Sequence, residues 1–386
     1  MVNYANITSA PGRLAYRLST PRNRVATHID PAFSTVLFCH PPWLDHYFFY
    51  PQLDDPTFYN EYNLVAIDMP GHGMSLLKEP MEGEMTWERI AGLYYEVLQA
   101  LKIERIHLVG GDMGSLAPMR LALAHPEIVE SLTMIGPPTP VETDLVMMGF
   151  TEWFQANLDL IDTLNNILFE FATGQWTNQI LRDVRDEWTD MAKARMLRGE
   201  YLAHFQVFLP LLTTRMELPT KDEMGTVNYP ILIIENVMTQ GDGSERDPAN
   251  NIWLDLTREL NSNRAKQGES RLATRHALVG EVMTKWASTA RWTSITNPCL
   301  VNPLITEIIK NKSSSSAFDK NETPMGRCMP REPDLPRNTG DLLEVLHETS
   351  TTSQAEPKSW ADFVNSVQVG GCEVQTEVSI MVEVAK

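Results

Sequence analysis

Short, continuous runs of apolar residues alternate along the chain with longer segments in which apolar residues recur at helical spacing. Each of these runs has the length of a strand that is buried on both faces of a sheet. An earlier segment, residues 12–18, alternates between apolar and polar positions, which also indicates a strand. The buried runs are residues 35–39, 64–68, 106–109, 131–135 and 229–234.

Helices are predicted between these strands. Residues 86–101 begin with Thr86, which is a good N-cap residue, and continue with an apolar stripe at helical spacing. Residues 116–124 and about 250–260 follow the same pattern. Strands that alternate with helices require a parallel sheet that is covered on both sides. The fold class predicted is therefore α/β, with a mostly parallel central sheet and helices on both faces.

The pattern changes twice along the chain. Residues 140–225 are rich in helix formers, Met, Trp and Phe and contain no buried-strand run, which predicts a helical cap inserted into a core formed by residues 1–139 and 226–310. Residues 311–386 begin with a serine run and a proline-rich stretch, which predicts a flexible tail. A Met and aromatic stripe in the cap either lines a pocket or packs the cap on the sheet: Met147, Met148, Phe150, Trp153 and Phe154.

Composition narrows the possible functions. The chain has 386 residues, of which 43% are hydrophobic, enough for one large domain with an insertion. Its formal net charge of -18 argues against nucleic acid and anionic membranes as partners. No segment resembles a signal peptide or reaches the length of a membrane span, so we expect a cytoplasmic protein. The sequence carries no signal for its oligomeric state.

Neither a metal nor a cofactor is expected. The four cysteines lack the spacing of a metal site or a disulfide framework. The chain has no dinucleotide-binding glycine motif after a strand and no phosphate-binding loop.

The candidate for chemistry lies between the strand at residues 106–109 and the helix that follows it. Gly110-Gly111-Asp112-Met113-Gly114 has the form Gly-x-nucleophile-x-Gly, a turn so tight that small residues must flank its centre. Such a turn raises one side chain above the carboxyl edge of a parallel sheet, where ligands bind. Here that side chain is the carboxylate of Asp112. The alternative interpretation is an Asp that only stabilises the helix N-terminus.

Five motifs, in this order, resemble the α/β-hydrolase superfamily across about residues 12–310: VLFCHPPW, LVAIDMPGHG, IHLVGGDMGS, SLTMIGPP and YPILII. The chain is most similar to a group of fungal hydrolase-like proteins whose oxyanion turn contains His-Pro. The resemblance implies four catalytic parts, which are a nucleophile, an oxyanion hole, an acid and a histidine.

The resemblance places Asp112 at the nucleophile position, as in epoxide hydrolases and haloalkane dehalogenases. A carboxylate there attacks carbon and forms an ester that water later hydrolyses. One oxyanion donor would be the N–H of Met113, but the second position is Pro42, which has no N–H. Trp43, next to the His40-Pro41-Pro42 turn, could donate through its indole or backbone N–H, or serve only as a pocket wall.

The remaining two parts depart from the family pattern. The acid should follow the strand that ends at Ile234, but an insertion at residues 235–241 moves the candidates out to Asp242 and Asp247, of which Asp247 is preferred. The histidine position is occupied by Arg291, which cannot act as a general base near neutral pH. Arg291 could also pair with Asp112 and neutralise it.

Three functions are therefore compared. The first is a hydrolase that acts on a small apolar organic substrate (an ester, an epoxide or an alkyl halide) through Asp112. The second is a catalytically impaired hydrolase-like protein that binds a small molecule or a protein. The third explains the tail and the insertion by an error in the predicted gene.

Overall fold

The structure of the protein is a computed structural model. It describes residues 2–9, 12–77, 85–138, 179–200, 227–237, 248–266, 273–279 and 292–310, with scattered residues within 161–169, 206–212 and 219–223. All of these residues belong to one compact unit, composed of Met1–Glu142 and Ala156–Cys328. A second unit, composed of Thr143–Gln155 and Met329–Lys386, lies outside the described residues.

The described strands form one nine-stranded sheet in the order β1-β2-β4-β3-β6-β7-β8-β9, with β5 paired to β2. Strands β4, β3, β6, β7, β8 and β9 run parallel to one another, whereas β2 is antiparallel to β1, β4 and β5. The strands are β1 Asn3–Asn6, β2 Gly12–Ser19, β3 Thr35–Cys39, β4 Asn63–Ile67, β5 Leu76–Leu77, β6 Ile106–Gly111, β7 Val129–Ile135, β8 Ile231–Val237 and β9 Ala273–Val279.

Helices flank this sheet. The α-helices are α1 Tyr50–Leu53, α2 Pro56–Tyr59, α3 Trp87–Ala100, α4 Leu116–Ala124, α5 Gln179–Leu197, α6 Pro248–Lys266, α7 Thr293–Thr296 and α8 Pro298–Lys310. Short 3-10 helices span His46–Phe49, Asp112–Ser115 and Pro126–Ile128.

The predicted elements and the fold class are confirmed. Every residue of β3, β4, β6 and β7 is buried, which explains why these strands are continuous apolar runs. The Thr86 hydroxyl accepts the N–H of Arg89 and so caps α3, as expected. Helices α4 and α6 cover the same face of the sheet, because both line one apolar cavity with β7 and β8, and α8 packs against β7 and β8.

The predicted cap and tail stay predictions. Helix α5 lies within residues 140–225, and the other described residues of that range contain no strand. The stripe between Met147 and Phe154 and the whole of 311–386 lie outside the described residues. No described helix combines the length and the hydropathy that crossing a membrane requires.

The order of the strands determines where a site forms. Strand β3 connects to β4 on one side and has β6 on its other side. The loops that leave β3 and β6 therefore diverge, which opens a crevice at the carboxyl ends of these two strands. The register pairs Cys39 with Gly110, so the two loops start side by side.

Candidate active site

Asp112 lies at the centre of a sharp turn between β6 and α4. Its φ is 49°, a left-handed conformation that is uncommon for residues other than glycine. The Ser115 hydroxyl donates a 3.0 Å hydrogen bond to the carbonyl oxygen of Gly110, which holds the turn closed. Asp112 is 8% exposed, so its carboxylate is largely removed from solvent. The predicted nucleophile-elbow geometry is therefore present.

The elbow is pressed against the loop that follows β3. A Cβ atom at Gly114 would overlap the backbone carbon and oxygen of His40 and the carbonyl oxygen of Cys39. Only glycine fits there, because backbone atoms cannot move aside as a flexible side chain can. This close approach explains the second glycine of the motif.

The loop after β3 is itself strained. Trp43 has a φ of 84°, in the left-handed region that bulky residues rarely adopt. Two aromatic residues from the region predicted as the cap contact it. The Trp188 indole N–H donates to the carbonyl oxygen of Trp43, and the Phe208 ring stacks on the Trp43 ring with centroids 4.1 Å apart. These contacts hold the loop of Trp43 against the region predicted as the cap.

His40 supports the same loop through both of its ring nitrogens. Nε2 accepts the backbone N–H of Met69 at 3.0 Å, so the proton is on Nδ1, which donates to the carbonyl oxygen of Pro41 at 2.8 Å. Burial lowers the pKa of His40 to about 4, against the opposing charge of Asp68. His40 is therefore neutral near pH 7 and shapes the loop.

One contact of the Asp112 carboxylate comes from a residue that lies 180 positions later in the chain. The indole N–H of Trp292 donates a 3.0 Å hydrogen bond to Oδ2 of Asp112. Trp292 is only 3% exposed and lies directly before α7. Because an indole nitrogen only donates, it stabilises the ionised carboxylate and cannot remove a proton.

Trp292 is held from several sides. The rings of Phe48 and Phe169 pack edge to face against it, with centroids 5.8 and 5.0 Å away. The Gln52 amide donates to the backbone oxygen of Ser294 and to Oδ1 of Asn302, both at 2.8 Å, and so ties α1 to α7 and α8. The indole is thus fixed before any ligand arrives.

A buried ion pair anchors the 3-10 helix that carries Phe48. Oδ1 of Asp68 accepts the backbone N–H and the Nδ1–H of His46, both at 2.9 Å. Burial alone would lower the pKa of His46, but the negative charge and hydrogen bond of Asp68 raise it to about 9. Burial also raises the pKa of nearby Asp45 to about 6, although the His46 charge opposes that shift.

A second residue of α5 reaches the loop after β4. Arg195 is 6% exposed, and its guanidinium donates to the carbonyl oxygen of Gly73. Gly73 packs closely on the Asp68 carboxylate, so the positive charge of Arg195 lies near the His46 and Asp68 pair. Helix α5 therefore contacts the loops after β3 and after β4 through Trp188 and Arg195.

Comparison with known proteins agrees with this geometry. Residues 35–169 match the family model described as alpha/beta hydrolase fold. A 2-hydroxy-6-oxo-6-phenylhexa-2,4-dienoate hydrolase from a Rhodococcus species superposes with a TM-score of 0.58 at 16% identity, covering 80% of this chain and 99% of that one. An enol-lactonase from Burkholderia xenovorans superposes with a TM-score of 0.52 at 15% identity, covering 80% of this chain and all of that one. The chain has the α/β-hydrolase fold.

Curated relatives match this chain over shorter stretches. A fluoroacetate dehalogenase from a Burkholderia species is 35% identical over 82 residues, which is 21% of this chain and 27% of that protein. A pimeloyl-[acyl-carrier protein] methyl ester esterase from Aeromonas hydrophila is 32% identical over 81 residues, 21% of this chain and 30% of that protein. These matches span less than a third of the relatives' own lengths.

Several predicted site residues of this hydrolase fold come together in the structure. Asp112 and Met113 form the elbow, and His40 and Trp43 lie in the adjoining loop. Asp247 and Arg291 lie outside the described residues, so their catalytic roles stay predictions. Among the described residues, no cluster of three or more His, Cys, Asp or Glu side chains could hold a metal ion.

The sequence interpretation missed the residue that contacts the Asp112 carboxylate. Trp292 follows directly after Arg291, the residue that the motif order places at the histidine position. The signal that could have found Trp292 is its place at the start of the closing helix, immediately before Thr293. The sequence contains no comparable signal for the contacts of Trp188 and Arg195, because helical spacing alone does not show which loop a helix contacts.

Proposed function

We propose that this α/β hydrolase acts on a small apolar substrate, which is an ester, an epoxide or an alkyl halide, with Asp112 as its nucleophile. The observation that carries the proposal is the buried carboxylate of Asp112 in the left-handed turn after β6, held at Oδ2 by Trp292. A carboxylate needs no proton removed before it attacks, and a hydrogen-bond donor interacts more favourably with the ionised form than with the neutral one. In this proposal Asp247 is the acid, Arg291 occupies the histidine position and Met113 supplies an oxyanion donor.

Aromatic side chains support an apolar substrate. Trp292 lies at the elbow and Trp43 in the adjoining loop, and their neighbours are the rings of Phe48, Phe169 and Phe208. Such a lining favours apolar groups over charged ones. The proposal also includes a cytoplasmic location and membership of the fungal hydrolase-like group.

A second function is favoured by the same contact. Trp292 can donate but cannot accept a proton, so this partner of Oδ2 of Asp112 is not a general base. A protein that forms the ester without hydrolysing it, or that only binds its ligand, is the alternative.

The experiment is intact-protein mass spectrometry during incubation with a panel of epoxides, alkyl halides and activated esters, with product release followed in parallel. We expect a mass increase that maps to Asp112, or turnover, in the wild type. Both should be lost in Asp112→Asn, because an amide is a far weaker nucleophile than a carboxylate. Asp186→Asn, which alters an exposed surface carboxylate, is the matched control and should behave like the wild type.

Three outcomes separate the functions. Turnover that depends on Asp112 supports the hydrolase, and a persistent adduct on Asp112 supports an enzyme that stalls at the ester. If the panel gives no adduct and no turnover, the role of Asp112 as a nucleophile is rejected. The binding protein is then the remaining function.

A further inference from the structure

The hydrogen bond between Trp292 and Asp112 has a direction that bears on the reaction. It engages one carboxylate oxygen, Oδ2, at 3.0 Å. A donor lowers the nucleophilicity of the oxygen that it binds, so we take Oδ1 as the attacking oxygen. When Oδ1 bonds to a substrate carbon, Oδ2 remains as the carbonyl oxygen of the ester, next to the indole N–H.

The indole can take the place of one backbone donor that the α/β-hydrolase pattern expects in the oxyanion hole. The residue that would supply the second backbone N–H of the oxyanion hole is Pro42, which has none. We infer that Trp292 is a catalytic residue, whose indole N–H stabilises the oxyanion that develops on Oδ2 of Asp112 when the ester is hydrolysed. This inference rests on the proposed function of Asp112 as a nucleophile.

The steps balance for an alkyl halide. Oδ1 forms a bond to the substrate carbon while the carbon–halogen bond breaks, and the halide leaves with the electron pair. Water then adds to Cγ, and the π electrons of the Cγ–Oδ2 bond move onto Oδ2, where Trp292 donates to the negative charge. The bond between Cγ and Oδ1 breaks and restores the Asp112 carboxylate. One proton of the water leaves with the alcohol, and the other is released to solvent.

The surroundings of Trp292 suit this role. Donors stabilise a transition state when they are already in place, since no free energy is then spent on reorganisation. The rings of Phe48 and Phe169 confine the indole on two sides, and the Gln52 amide bonds hold α7 directly after it. The indole is buried, so its hydrogen bond to a charged oxygen is screened less than one in water would be.

The test compares Trp292→Phe with the wild type in single-turnover reactions with 1-bromohexane and styrene oxide. Intact mass follows the rise and the decay of the Asp112 adduct. We expect the adduct to form within about threefold of the wild-type rate but to decay about 10²-fold to 10³-fold more slowly, the cost of removing one oxyanion donor. Trp87→Phe is the matched control, because Trp87 is an equally buried tryptophan whose indole donates to the backbone oxygen of Leu211.

The results distinguish this inference from the proposed function. An adduct that decays at the wild-type rate in Trp292→Phe, or equally slow decay in Trp87→Phe, overturns the role of Trp292 and leaves the nucleophile intact. A wild type that forms no adduct and no product overturns the proposed function, and the catalytic role of Trp292 with it.

A second measurement does not depend on how the Trp292 variant folds. The indole proton of Trp292 can be observed by NMR in the ¹⁵N-labelled wild type. Its resonance should move upfield in Asp112→Asn, because a neutral amide oxygen accepts a weaker hydrogen bond than a carboxylate. It should not move in Asp186→Asn. An unchanged resonance in Asp112→Asn would show that the pair is absent and would overturn the inference.

Discussion

At the scale of single residues, the site depends on close contacts and backbone conformations that few residue types allow. Gly114 allows the elbow to touch the loop after β3, and Asp112 itself adopts a left-handed φ of 49°. Strained conformations of this kind cost about 1–3 kcal/mol each and persist because the surrounding structure imposes them. The strain lies where the fold places its candidate nucleophile.

We predict that Gly114→Ala destabilises the protein by about 3 kcal/mol, because the added Cβ would overlap the backbone of His40 and Cys39. The measurement is urea unfolding at equilibrium. Gly92→Ala is the control, since Gly92 lies in α3 with nothing within 4 Å of the new Cβ, and it should stabilise the helix by about 0.5–1 kcal/mol. Equal effects at the two positions would contradict the close approach of the elbow to the loop.

At the scale of elements, α5 connects the region predicted as a cap to two loops at the carboxyl edge of the sheet. Trp188 and Arg195 lie seven positions apart, two turns of the helix, and so occupy the same face. One holds the loop of Trp43 and the other holds the loop of Gly73. The position of α5 and the shape of the candidate site are therefore coupled.

We predict that Arg195→Met lowers the free energy of unfolding by about 2–4 kcal/mol, because it removes a buried donor and a positive charge near Asp68. Arg198→Met, on the same helix, removes a half-exposed guanidinium paired with Glu200 and should change stability by less than about 0.5 kcal/mol. Chemical denaturation of both variants checks this. A loss for Arg198→Met as large as that for Arg195→Met would argue against a specific role of the Gly73 contact.

At the scale of the whole molecule, buried charges make stability depend on pH. The pKa of His46 is raised from an ordinary value near 6.5 to about 9, so the folded state binds the proton more tightly than the unfolded state. Its contribution is fully present below about pH 6.5 and is lost as the pH rises through about 9. The pKa of Asp68 is lowered, so its contribution also stabilises the folded state but is lost as the pH falls rather than as it rises.

We therefore predict that raising the pH from 6.5 to 9.5 removes on the order of 2–3 kcal/mol of stability through His46. Equilibrium unfolding at several pH values in this window should show the decline in the wild type. His46→Asn should be less stable at pH 6.5 and should decline much less. His28→Asn, which alters an exposed histidine beside Thr27, should keep the wild-type slope. Parallel curves for His46→Asn and the wild type would refute the prediction.

The sequence by itself determined the local structure of this protein. Apolar runs of strand length predicted β3, β4, β6, β7 and β8, and Thr86 predicted the start of α3, because burial and capping follow the residues nearby. The same local chemistry predicted the elbow at Asp112, since small residues on both sides permit one kind of turn.

Only the tertiary structure decided that Trp292 donates a hydrogen bond to the Asp112 carboxylate. Trp292 lies 180 positions away in the chain, and its indole reaches the carboxylate because α7 packs against α1 and the 3-10 helix of Phe48. The motif order alone places Arg291, one position earlier, at the histidine position. Periodicity identifies the buried face of an element, but the partner of one side chain depends on how distant elements pack together.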